Sequence, residues 1–247
     1  MKKKSALPTI IITCVIVAAV LVAFGRSLFF ATEPVILPAA DADASQTGGG
    51  NGGDVGSGAV LVDVTPETVQ AVIATLDRPD SYERELTVEY FWGEGNSSSS
   101  LVRVWVRDGC TRLQIPQKDG LTRNVLIGGD RCCIWYGGSS RWYEYSAAEY
   151  TADREQHIPT YEDILTLTPA DIRVADYVNL NGVNCIYVEV ERDGDTVCYW
   201  VDVDTGLLDC SETRVGDEAV FRVTGGKVTS PTEAERQFLL PDGSAFP

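Results

Sequence analysis

Val183-Asn184-Cys185-Ile186-Tyr187-Val188-Glu189-Val190-Glu191-Arg192-Asp193-Gly194-Asp195-Thr196-Val197-Cys198-Tyr199-Trp200-Val201-Asp202-Val203 reads as two β-rich runs joined by a two-residue turn. Asp-Gly between alternating apolar residues marks a tight hairpin, because the turn needs positive φ that Asp and Gly tolerate. Ile186, Val188 and Val190 then share one face with Val197, Tyr199, Val201 and Val203 across the turn. Cys185, Tyr187, Cys198 and Trp200 share the other. Large apolar groups on both faces call for a second cover or a cavity lining.

The same grammar extends in both directions. Asn181-Gly182 joins Ile172–Asn179 to the quoted hairpin, and Asp204-Thr205-Gly206 leads on to Leu207–Arg214 and a last strand, Ala219–Thr224. Upstream, Leu86–Trp92, Leu101–Arg107, Cys110–Ile115, Leu121–Ile127, Cys132–Tyr136 and Arg141–Tyr145 are strands, with Gly93 to Ser100 as a polar loop. Short connections predict antiparallel pairing of sequence neighbours. Ser146–Glu149 and Thr160–Asp163 resemble capping boxes, so two short helices are predicted between Ala147 and Leu165, parted near Pro159. Thr65-Pro66-Glu67 opens a leading helix whose stripe is Val69, Val72, Ile73 and Leu76. Such a stripe needs a sheet face over it. The fold class is α+β: a curved antiparallel sheet covered by a few helices.

Residues 1–60 read differently. Lys2, Lys3 and Lys4 precede an uncharged apolar run from Leu7 to Phe24. Its 18 residues would make a helix of about 27 Å, nearly a bilayer's hydrocarbon thickness. The lysines keep the N-terminus cytoplasmic. A cleaved signal peptide is the rival reading, but Gly25-Arg26-Ser27-Leu28-Phe29-Phe30 offers no small-residue cleavage site close to the run. The predicted organisation is a cytoplasmic N-terminus over 1–6 and a single-pass signal anchor over 7–30. A flexible Ala/Asp/Gly-rich linker over 31–60 follows, then an extracytoplasmic head over 61–247. The bilayer is thus a partner through residues 7–30.

Charge narrows the partners. All 36 acidic residues lie beyond residue 30, against 16 of the 20 Lys and Arg, so the exported part carries a formal −20. Nucleic acid is excluded as a partner by long-range repulsion. Chemistry is scarce as well. His157 is the chain's one histidine, and no nucleophile motif, phosphate-cradling glycine loop or zinc spacing accompanies it. No catalytic residue, metal or cofactor is assigned, and the protein reads as a non-enzyme.

Cysteines and aromatics carry what remains. Cys110, Cys132, Cys133, Cys185, Cys198 and Cys210 form an even set in an exported chain, so one or two disulfides compete evenly with small buried thiols. Adjacent Cys132 and Cys133 point to opposite faces and do not pair. A two-residue turn sets Cys198 opposite Glu189 and Cys185 opposite Asp202, too far apart for a bridge. Trp105, Trp135, Trp142, Tyr187, Tyr199 and Trp200 are the candidate wall of a ligand cavity, with core filling as the plainer alternative.

The leading helix, strand meander, helical insert and the stretch Tyr199-Trp200-Val201-Asp202-Val203-Asp204-Thr205-Gly206-Leu207-Leu208 resemble the LolA-like proteins. That superfamily includes the periplasmic lipoprotein carrier, mycobacterial lipid-binding lipoproteins and RseB-like regulators. The closing Phe238–Gly243 is similar to their C-termini. The resemblance implies a half-open β-barrel closed by helices, with an apolar cavity for acyl chains or a peptide partner, in a bacterial envelope. The expected function is a membrane-tethered binding module for lipid or lipoprotein acyl chains. An interaction or sensor ectodomain regulating an envelope membrane protein is the alternative.

Overall fold

The Asp193-Gly194 hairpin forms in the predicted register: Val188 faces Tyr199, Ile186 faces Val201 and Tyr187 faces Trp200. Cys198 lies opposite Glu189, and Cys185 opposite Asp202. Asp108, Asn181 and Asp193 all take positive φ, as their Asx-Gly turns require. The computed structural model describes residues 63–93, 95–152 and 157–246, which fall within one compact unit, Val62–Pro247. Residues 1–6, 7–30 and 31–60, and the anchor and linker assigned to them, lie outside the described residues. No helix among the described residues is long and apolar enough to cross a membrane.

Eleven strands make one curved, unclosed antiparallel sheet. In chain order they are β1 (Ser81–Trp92), β2 (Asn96–Arg107), β3 (Cys110–Pro116), β4 (Thr122–Gly128), β5 (Arg131–Tyr136) and β6 (Tyr143–Ser146). After the helical insert come β7 (Ile172–Leu180), β8 (Val183–Arg192), β9 (Asp195–Asp202), β10 (Leu208–Val215) and β11 (Glu218–Gly225). Spatially they run β6-β5-β4-β3-β2-β1-β11-β10-β9-β8-β7, so two meanders meet where β1 pairs with β11. Among the described residues β6 and β7 are the edges of the sheet, and it does not close on itself.

Two strands outgrow their sequence signals. β2 begins at Asn96, not Leu101, because Ser97 to Ser100 pair with Phe91 to Val88. The neighbouring strand imposes extended backbone on residues of little intrinsic β preference. β1 likewise reaches back to Ser81.

The leading helix, α1 (Val69–Thr75), starts one turn later than Pro66, which opens a preceding turn whose Thr65 carbonyl accepts from the Thr68 and Val69 amides. Val69 and Ile73 are fully buried, and α1 packs on β8 and on the helix α3 (Tyr161–Leu165). α2 (Ala147–Ala152) and α3 are the two short helices predicted around Pro159. Thr160 donates its amide to Asp163 Oδ2 at 2.9 Å, half of a capping box. Arg78 locks the end of α1: its guanidinium donates to the carbonyls of Ile73, Leu76 and Gly206, and it stacks 3.7 Å over the Tyr161 ring.

The two sheet faces are covered differently. On the inner face, α1 and α3 fill the half built from β8 and β9. On the outer face, the C-terminal segment lays Leu240 and Phe246 against Leu126, Cys133 and Trp135. That segment covers the outer face at β4 and β5, not at the β8–β9 hairpin whose two apolar faces called for a second cover.

Candidate functional site: two clefts on the inner face

Strand alternation sends Leu86, Val88, Val102, Val104, Leu113, Val125 and Ile134 to the inner face, where Tyr150 and Ile158 join them. Tyr150 belongs to α2 and Ile158 to the segment leading into α3. Over the half built from β1 to β5, the described residues do not fill the space beneath the helices, and two clefts lie there.

The first holds about 780 Å³. Its floor is Leu86, Val104, Val106, Leu113 and Ile127, and its lip is polar: Arg78, Asp80, Tyr82, Arg84, Glu162 and Asp163. The second holds about 1000 Å³ between β1, β2, β3 and Phe221 of β11, with Val88, Val102 and Ile115 inside and Tyr90, Trp92 and Lys118 at its opening. His157 and Ile158 line both. The His157–Ile158 segment is therefore a bar laid across the trough, with one cleft on each side.

That bar is fastened by hydrogen bonds. His157 Nε2 donates to the Asp163 carboxylate, 2.9 and 2.8 Å from its two oxygens, while the same carboxylate accepts the Thr160 amide. At the lip, Arg84 Nη1 donates to the Leu208 carbonyl at 2.8 Å, and its Nε is buried without a hydrogen-bond partner. Burial lowers the Arg84 pKa, opposed by Tyr82, Asp209, Asp202 and Glu162. Burial also pushes the Tyr82 phenol up, and takes Tyr161 to about 12 with help from Glu162. Asp209 is raised by burial and by Asp202, against the pull of Arg84. The arrangement is amphipathic: an aliphatic floor below a charged lip.

Among the described residues, His157 pairs with Asp163, and no hydrogen bond joins it to Ser98, Ser99 or Ser100, which line the second cleft. Among the described residues no group of three His, Cys, Asp or Glu is placed to hold a metal.

The aromatic wall expected from sequence is not where the clefts are. Trp105 and Trp135 lie on the outer face, with Trp135 beneath the C-terminal segment, against which Trp142 also packs. Tyr187 and Trp200 meet as a tilted ring pair with centroids 5.0 Å apart, on the opposite face of their hairpin from Val188 and Tyr199. Tyr199 faces inward but is buried, its phenol pushed up to about 12 by that burial. None of the six lines either cleft. The walls are the aliphatic rows of β1 to β4 instead, legible as period-two alternation but not distinguishable, from one strand, as inner or outer face.

The six cysteines are free thiols. Burial pushes Cys132 and Cys185 up to about 12 and Cys210 to about 11, so they behave as small core residues.

No family model matches the chain, and no curated protein matches it. Solved structures do. The Mycobacterium tuberculosis lipoprotein LppX is similar at 12% identity over 68% of this chain and 94% of that one, with a TM-score of 0.40. An uncharacterized conserved protein of Thermus thermophilus is similar at 10% identity over 72% and 95%, TM-score 0.46. The LolA superfamily protein NE2245 of Nitrosomonas europaea is similar at 9% identity over 67% and 93%, TM-score 0.34.

Proposed function

We propose that this protein is a membrane-tethered, extracytoplasmic, non-enzymatic module that holds a lipid or lipoprotein acyl chain in the inner-face clefts. One observation carries the reading: about 780 and 1000 Å³ of cleft lie over an aliphatic floor that the helices leave uncovered. Clefts of this size suit small apolar guests. The charged lip at Asp80 and Glu162 suits a guest with a polar head, which stays in water while the chain goes in. The apolar run at 7–30 supports tethering, and the negative charge of the exported part supports a soluble head held off an anionic surface by its linker.

A fluorescent long-chain fatty acid tests this directly. Its emission is expected to rise saturably on adding the full-length protein in detergent. Thr111→Trp, which places an indole in the first cleft, is expected to weaken the response at least about tenfold, a loss of roughly 1.4 kcal/mol. Unsaturable emission contradicts the proposal, and equal binding by a folded Thr111→Trp protein removes the first cleft from it.

A further inference from the structure

We infer that the first cleft selects an anionic amphiphile, and that Arg84 binds the carboxylate or phosphate group where the chain of that guest meets its polar head. The inference rests on the lipid-binding reading and names the chemical class of guest within it.

Strand alternation places Arg84 for this role. The inner-face row of β1 runs Tyr82, Arg84, Leu86, and all three line the first cleft. Arg84 therefore stands where the polar lip meets the aliphatic floor. A chain laid on Leu86, Val104 and Leu113 brings the first polar group of its guest to this position.

The guanidinium is held by one corner. Nη1 donates to the Leu208 carbonyl at 2.8 Å. Among the described residues Nε is buried without a partner, Nη2 makes no hydrogen bond, and no carboxylate forms an ion pair with Arg84. Nε and Nη2 share one edge of the guanidinium plane, the fork that takes two carboxylate or phosphate oxygens side by side. A cation buried with no anion against it carries a desolvation cost that a bound anionic group offsets. Two other arginines do not offer the same fork. Arg78 gives its donors to the Ile73, Leu76 and Gly206 carbonyls. Arg112 lies over Trp135 on the outer face and lines neither cleft.

Acidic neighbours sharpen the expectation. Asp202, Asp209 and Glu162 act on Arg84 through space, but Asp202 commits its oxygens to the Asp204 amide and the Thr205 hydroxyl. A paired hydrogen bond in contact outweighs charges farther off, because Coulomb energy falls with separation and water screens it at the lip. Once the guanidinium is removed, the same acids repel an anion. Losing Arg84 should then reverse the preference for anionic guests rather than weaken all guests alike.

Pyrene-labelled single-chain probes test this on the full-length protein in detergent at about pH 9, where a carboxyl group is ionised. The probes are a long-chain fatty acid, its uncharged methyl ester and a lysophosphatidic acid. Wild type is expected to bind at least one anion about tenfold or more tighter than the ester. The tighter anion identifies the source, a free fatty acid or a phospholipid. Arg84→Met is expected to keep the ester and to bind both anions less tightly than it. Arg84→Lys, which keeps the charge without the fork, should fall between. Equal binding of ester and anions by wild type overturns the inference while leaving the cleft occupied. So does a folded Arg84→Met protein that still prefers anions, or one that loses all probes in equal proportion. A wild type that binds none of them sinks the lipid-binding reading and this inference together. Where Arg84→Met does not fold, the wild-type ratio and Arg84→Lys decide.

Discussion

Arg112 of β3 is only 4% exposed, set between Trp105 and Leu126 on the outer face with its guanidinium 4.2 Å over the Trp135 ring. Nη2 donates to Asn124 Oδ1 at 2.7 Å, while Nε and Nη1 are buried without hydrogen-bond partners. Burial lowers its pKa to about 10. A buried cation held by an amide, rather than a carboxylate, costs desolvation that one hydrogen bond and one ring contact do not offset. Arg112→Met should leave stability unchanged or raise it by roughly 1–4 kcal/mol. Asn124→Ala, which leaves the charge in place and removes its acceptor, should cost about 1–3 kcal/mol. Urea midpoints measure both, and a larger loss in Arg112→Met than in Asn124→Ala would show that the arginine is stabilising.

Glu212 is the opposite case. Its side chain is 7% exposed and lies between Arg214 and Arg222. Burial alone would raise its pKa, but hydrogen bonds from both arginines outweigh burial and hold it below 4.5. The unfolded state then binds more protons than the folded one between the two values, so stability rises with pH there. The contribution is complete above 4.5 and fades as pH falls through the lower folded value. Wild type and Glu212→Gln should therefore differ in urea midpoint at pH 7 and converge in acid. A gap that persists at the lowest pH where both fold would contradict this.

Among the elements, the turn between β9 and β10 explains why the stretch from Tyr199 to Leu208 is the most recognisable in the chain. Asp202 accepts the Asp204 amide and the Thr205 hydroxyl, and Gly206 returns its amide to the Asp202 carbonyl. Gly206 has φ +64, and a Cβ there would fall 2.6 Å from the Asp77 carbonyl and 2.7 Å from Arg78 Cγ. The motif is thus where the sheet meets the end of α1. Gly206→Ala combines backbone strain with that clash and should destabilise by about 2 kcal/mol or more. Thermal unfolding checks it, with Gly194→Ala, in an open turn, as the milder comparison.

Turns of this kind made most elements legible. Asx-Gly pairs fix positive φ locally, and strand alternation follows from the turns. The β1–β11 pairing was not legible, because it joins residues more than a hundred positions apart and no local signal encodes it. Ser97 to Ser100 were misread as loop for the same reason: their extended shape comes from the partner strand. The C-terminal segment hid its role too, since Leu240 and Phe246 show no periodicity until they meet the outer face.

For the whole molecule, a single curved sheet over the leading helix was readable from that helix's stripe and the run of hairpins. Which face kept open space was not. Trp and Tyr are bulky enough to suggest a cavity wall, but bulk also closes gaps, and the structure uses Trp105 and Trp135 for that on the outer face. The clefts persist where side chains are smaller and the helices do not reach. Among the described residues, α1 and α3 cover the β8–β9 half, while Tyr150 and the His157–Ile158 bar reach over β1 to β5. The asymmetry between a filled half and an open half is what the functional reading rests on.

Mass spectrometry of the lipid that stays with the purified full-length protein tests that asymmetry most directly. A stoichiometric acyl-chain lipid in the wild type, lost from a folded Thr111→Trp protein but kept in Trp200→Ala, is the predicted result. A wild-type protein free of lipid would contradict the inner-face clefts as the place where this protein holds its guest, and lipid retained despite Thr111→Trp would contradict the first cleft as that place.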